Sequence, residues 1–151
     1  MDWTLFLKLV HVVAAIIAVG ANLTYTYWIR HAALDRDRLV WTMAGIRRLD
    51  NFVATPAYVV LLVTGILMVV GGLFTFQTSW ILASIALYVA VVVFGLVLYA
   101  PALKRQLAEA ERDPHSPAYR DAARRSNVFG VITLAAVLTI VFLMVTKPTL
   151  W

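Results

Sequence analysis

Between Trp3 and His31 the chain reads WTLFLKLVHVVAAIIAVGANLTYTYWIRH, an apolar run that nevertheless holds Lys8, His11 and Asn22. A helix needs about 20 mostly apolar residues to cross hydrocarbon, at ~1.5 Å per residue. No water is present there to satisfy a backbone donor or acceptor, so a lone apolar run of this length has to be helical. Polar side chains at that depth are costly; each turns into the interior of a bundle or marks a function.

The pattern recurs. Four apolar spans are expected at 4–29, 53–74, 80–103 and 128–146, separated by a polar loop at 30–51, a short uncharged turn at 75–79 and a second polar loop at 104–127. With 62% of residues hydrophobic and only 14% charged, the composition lies outside the range of soluble domains. The expected fold is all-α, a single integral membrane domain over 1–151 built as a four-transmembrane-helix bundle. The first run lacks a basic leader segment and exceeds the apolar core of a signal peptide, so it reads as a retained span. The absence of cysteine excludes disulfides, thiolate metal sites and cysteine nucleophiles.

Charge orients the bundle. Of 13 lysines and arginines, 11 fall in the two polar loops, the others being Lys8 and Lys147. Four spans put both loops on one side, and the positive-inside rule makes that side cytoplasmic, with both termini outside. The expected location is therefore the inner (plasma) membrane, multi-pass. Trp3, Trp80 and Trp151 then fall at the outer interface, Trp28 and Tyr99 near the inner one. The net charge of +5 reflects residues bordering spans, so the partner is the lipid bilayer and not nucleic acid.

Local signals refine the spans. Leu39, Met43, Ile46 and Leu49 recur at helical spacing in the first loop, as in a short helix lying at the interface. Thr55-Pro56 reads as the start of span two, or as a kink if helix already passes through Asp50. Gly65 and Gly72 form a small-residue stripe for close helix approach. Ser84, Tyr88, Gly95 and Tyr99 share one inward face of span three, which is expected to continue as helix until Asp113-Pro114 breaks it. Ser126 or Asn127 is the expected cap of span four. At its end Lys147 reaches for the interface before Pro148.

Lys8, His11, Ala15, Ala18, Asn22 and Tyr25 follow one another at steps of three or four residues, a single polar and small-residue seam facing the bundle interior. His11 there is either an imidazole bonded to a Ser, Thr or Tyr of a facing helix, or an axial ligand to haem iron or another metal. His31 and His115 lie in or beside the polar loops, so no second histidine shares its depth. Lys8 snorkels or, with His11 and Lys147, faces an anionic ligand such as a porphyrin bearing propionates. Asn22 reads as interhelical hydrogen-bonding glue. No acidic residue is expected in any span, and there is no phosphate loop or HExxH, so no hydrolytic machinery is legible.

The stretch KLVHVVAAIIAVGANLTYTYWIRHA, with its K-x-x-H, resembles the first helix of the J-type membrane protoporphyrinogen IX oxidases, and is also similar to that of copper-resistance D-type membrane proteins. The whole chain, including TGILMVVGG and the closing MVTKP, resembles a bacterial family of four-helix integral membrane proteins of unknown function, number 2269 in its series. The oxidase resemblance implies haem binding by His11, with Lys8 at the position of that motif's lysine. Two functions are therefore in view. One is a cofactor-binding or redox-accessory protein using His11 with Lys8, Lys147 and Asn22. The other is a non-catalytic structural or accessory subunit that forms a homo-oligomer or joins a larger membrane complex through the seam.

Overall fold

The computed structural model describes residues 2–33 and 35–151, so the first polar loop is described apart from residue 34. Helix α1 (Trp3–Ala32) starts at Asp2, whose carboxylate accepts from the Thr4 N–H at 3.3 Å. Helix α2 (Arg36–Leu49) is capped in the same way by Asp35, which accepts from the Arg38 N–H at 3.0 Å. Such caps satisfy donors that the first turn of a helix leaves orphaned.

At its far end α2 does not stop. It widens into a π-helical turn over Asp50–Ala54 and continues as α3 (Thr55–Val70), a single rod of 35 residues. The second rod, of 34 residues, repeats the design: α4 (Ser79–Phe94), a π-helical turn over Gly95–Tyr99, then α5 (Ala100–Arg112). Each widened turn sits directly before an X-Pro pair, Thr55-Pro56 and Ala100-Pro101. Proline lacks an N–H, and its ring collides with the carbonyl four residues back, here Phe52 and Val97, both inside the widened turns. Widening moves that carbonyl aside without breaking the rod. Helix α6 (Pro117–Thr146) closes the bundle.

α1 packs along α3, and α6 along α4 and α5, so the chain forms two helical hairpins that meet through α1–α6 and α2–α5. At ~1.5 Å per residue the four rods are about 45 to 52 Å long, against ~30 Å of hydrocarbon. The surplus accounts for the charged residues at the end where α1 turns into α2 and α5 into α6, the turn end. There Leu39, Met43, Ala110, Tyr119 and Ala32 form the buried hydrophobic cluster. Its location follows from solvent. Near water, apolar burial drives packing; in lipid it does not, and small residues and hydrogen bonds take over. Accordingly Leu5, Ile16, Val59, Leu82, Val93 and Phe142 are exposed on the protein surface, available to acyl chains.

Several expectations are corrected. The amphipathic segment of the first loop is not a separate interfacial helix; it is the first part of the second rod, with Leu39, Met43 and Ile46 buried and Leu49 exposed. Span two ends at Val70, not residue 74: the Gly71 N–H bonds back to the Leu67 carbonyl, and Gly72 takes φ +79°. Gly72 is thus a turn residue using glycine's conformational freedom, not part of a packing stripe with Gly65. Neither Ser126 nor Asn127 caps the last helix. That helix begins ten residues earlier, where Ser116 Oγ accepts from the Tyr119 N–H at 3.1 Å and Pro117 holds the first turn. Ser126 is buried mid-helix and donates to the Gln106 side chain of α5. Trp80 is buried beneath Phe74, with Lys147 Nζ 5.9 Å from its ring centroid.

Candidate functional site

The polar seam of α1 is spent almost entirely on α3. The facing residues come from one turn after another of the second rod, because α1 and α3 run side by side along their length. His11 Nδ1 lies 2.9 Å from Thr64 Oγ1. Thr64 has one hydroxyl proton, and its Oγ1 is 2.6 Å from the Val60 carbonyl, an acceptor only. The hydroxyl therefore donates to Val60 and accepts from His11, which fixes the proton on Nδ1 and the lone pair on Nε2. No hydrogen bond to Nε2 is made among the described residues, and the atom is not sealed off from the surface.

Gly65 makes this contact fit. A Cβ built there would stand 3.3 Å from His11 Cε1, so the imidazole rests on bare backbone. About three turns further along α1, Asn22 Nδ2 donates to the Ala18 carbonyl at 2.9 Å and to the Tyr58 hydroxyl at 3.1 Å. The Tyr58 carbonyl in turn accepts from the Tyr88 hydroxyl of α4 at 2.9 Å. Tyr58 thus ties three helices together. Tyr25, nearly fully buried, directs its hydroxyl to Asp50 Oδ1 at 3.5 Å, the outer limit of a hydrogen bond.

Asp50 is the residue missed by reading spans as apolar blocks. It stands at the first position of the π-helical turn, partly buried, with Tyr25, Tyr58 and Tyr99 within its electrostatic reach. Tyr99 closes the other π-helical turn and packs against Gly130 of α6. Each widened turn therefore delivers one polar side chain to the same cluster. The signal was present in the sequence as two X-Pro pairs inside continuing apolar helices, each preceded by a polar or glycine residue five or six places earlier. The Ser84 hydroxyl of α4 is buried without a hydrogen-bond partner among the described residues.

The four residues expected to hold a cofactor are not gathered at one point. Lys8 is one turn from His11 on α1, exposed, and in no ion pair among the described residues. Asn22 lies 11 residues from His11, about 16 Å along the helix, and is engaged with Tyr58. Lys147 takes a left-handed conformation, φ 48°, at the end of α6, and its ammonium sits 5.4 Å from the centroid of the Phe74 ring. His31 stacks on Tyr27, and His115 lies in the turn before α6. Among the described residues no group of three or more His, Asp or Glu side chains is arranged around a metal position.

Comparison with curated proteins and with solved structures gives no match. The model of the family described as predicted integral membrane protein (DUF2269) matches residues 5–148. That match takes in all four rods from the first turn of α1 to the end of α6, and the chain belongs to this family of integral membrane proteins.

Proposed function

We propose that this integral membrane protein binds a haem or related metal-centred group through His11, as a small cofactor-binding or redox-accessory protein. The observation that supports it is the state of the imidazole. Thr64 holds Nδ1–H, and Nε2 keeps an unshared lone pair with no hydrogen-bond partner among the described residues. Metal-ligating histidines are held in this way, one ring nitrogen fixed by a hydrogen bond so that the other is aimed and its tautomer set. His11 would hold the iron and Lys8 would meet a propionate; the group would supply one-electron chemistry. The protein's own contribution is a ring immobilised between Thr64 and Gly65.

The second reading is a non-catalytic accessory subunit. Asn22, Tyr25 and Tyr58 are consumed in helix pairing within the chain, which favours a structural role for the seam and leaves any partner helix to meet another face. In that case His11 is one more rung of the α1–α3 seam. Absorption spectra of the protein purified in mild detergent, oxidised and dithionite-reduced, separate the two. A Soret band lost in His11→Ala supports the cofactor reading; colourless protein from haem-replete cells supports the structural one.

For either function we place the turn end in the cytoplasm, because 11 of the 13 basic residues lie in the two polar loops at that end. The chain has no cysteine, so single cysteines report topology without background. Ala118→Cys should react with a membrane-impermeant maleimide only after the cells are opened, and Thr149→Cys in intact spheroplasts. The reverse pattern would overturn the orientation.

A further inference from the structure

A cavity of about 210 Å³ opens between the last turns of α1, the start of α5 and the first half of α6, at the turn end. Arg30 of α1 and Arg124 of α6 line it, together with Tyr25, Tyr99, Gln106 and Asn127. We propose that it binds a phosphate-bearing anion, and that the two guanidinium groups are its principal ligands.

Three features carry this. No carboxylate lines the cavity, and among the described residues neither Arg30 nor Arg124 takes part in an ion pair. Asp50 does not itself line the cavity; it accepts from the hydroxyl of Tyr25, one of the lining residues, at 3.5 Å. Two unpaired guanidinium forks from different helices suit an anion with several oxygens, which they bind through paired N–H donors. The walls are also built. The Ser126–Gln106 hydrogen bond joins α6 to α5 beside the cavity, and Gly130 admits the Tyr99 ring, whose Cε2 would stand 3.4 Å from a Cβ there.

Position bears on the source of the anion. The cavity lies where the charged loops give way to apolar spans, and its lining also includes Ile29 and Leu103. Basic pockets between spanning helices at this level take lipid headgroups. A phospholipid headgroup and a free phosphate ester share the chemistry that the arginines recognise, and experiment distinguishes them. The site is separate from His11, which lies 14 residues, about 21 Å, from Tyr25 along α1.

The test uses the full chain, delipidated in mild detergent and titrated in native mass spectrometry with dioleoyl phosphatidylglycerol, with inorganic phosphate as competitor. The wild type should retain one lipid. The Arg30→Gln/Arg124→Gln variant should bind it about tenfold or more weakly, while the charge-matched Arg47→Gln/Arg48→Gln variant, outside the cavity, should bind as the wild type does. Displacement by millimolar phosphate assigns the site to free phosphate compounds; persistence assigns it to the lipid. Equal weakening in both double variants, or no retained lipid together with no binding of phosphate, overturns the proposal. If the glutamine variant loses its helical circular dichroism, Arg124→Lys replaces it, since lysine keeps the charge without the fork. Weakened binding then supports the site, and unchanged binding overturns it.

Discussion

Thr64 is the residue on which the state of His11 depends. Replacing it with valine preserves shape but removes the hydroxyl that accepts from Nδ1–H, which loosens the hold on the ring and its tautomer. Thr64→Val should cost about 1 kcal/mol of stability in detergent, typical of one net hydrogen bond, and shift any spectrum arising from His11. Gly65→Ala acts on the same ring by crowding, because its Cβ would meet Cε1 at 3.3 Å. The ring must give by a few tenths of an ångström, and alanine gains about 1 kcal/mol over glycine inside a helix, so Gly65→Ala should shift any spectrum arising from His11 with little net change in unfolding temperature. The Asn22–Tyr58 pair offers a cleaner energy. A double-mutant cycle of Asn22→Leu with Tyr58→Phe should give a coupling near 0.6 kcal/mol, the average for interhelical bonds in membranes, and a value of zero would show that the bond is not made.

Among the elements, the two long rods are set apart by their π-helical turns. Prolines at 56 and 101 would ordinarily end a helix, yet each is absorbed by a π-helical turn just before it. The long run of apolar residues on both sides explains why. Breaking the rod in lipid would leave several backbone groups unpaired, at several kcal/mol each, whereas widening one turn keeps them bonded. The start of α6 is simpler. Ser116 supplies its only side-chain cap, and Ser116→Ala should destabilise the turn end by about 1 kcal/mol. Amide exchange should register the loss at residues 118–120 and leave the centre of α6 unchanged.

The whole molecule is stabilised by different forces at its two levels. At the turn end the fully buried Leu39 packs with Met43, Ala110 and Tyr119, and Leu39→Ala should cost about 2–5 kcal/mol. Leu82 is half exposed on the lipid-facing surface of α4, and Leu82→Ala should change stability by less than 1 kcal/mol, because lipid replaces the lost contact. Similar losses at both positions, read from denaturation in one detergent, would contradict this division.

The sequence by itself determined four apolar spans, an all-helical bundle and a seam from Lys8 to Tyr25, of which the structure turns His11, Asn22 and Tyr25 inward and leaves Lys8 exposed. Spans, bundle and seam follow from hydrophobic length and helical period, which are local properties of the chain. The sequence also allowed span three to continue as helix up to Asp113-Pro114, as it does to Arg112, although Pro101 lies within that stretch. Only the tertiary structure decided which residues oppose the seam, that Asp50 enters the bundle, and that α6 begins at Pro117. Thr64, Tyr58 and Asp50 face α1 because of how α1 and the second rod are aligned, and that register depends on side-chain fit around Gly65. Likewise, whether a proline ends a helix or is taken up by a widened turn depends on the neighbours and solvent on both sides of it. The 3.6-residue period that marks a helix in sequence is lost at a π-helical turn, so the two residues these turns deliver to the cluster, Asp50 and Tyr99, could not be brought together from the spacing alone.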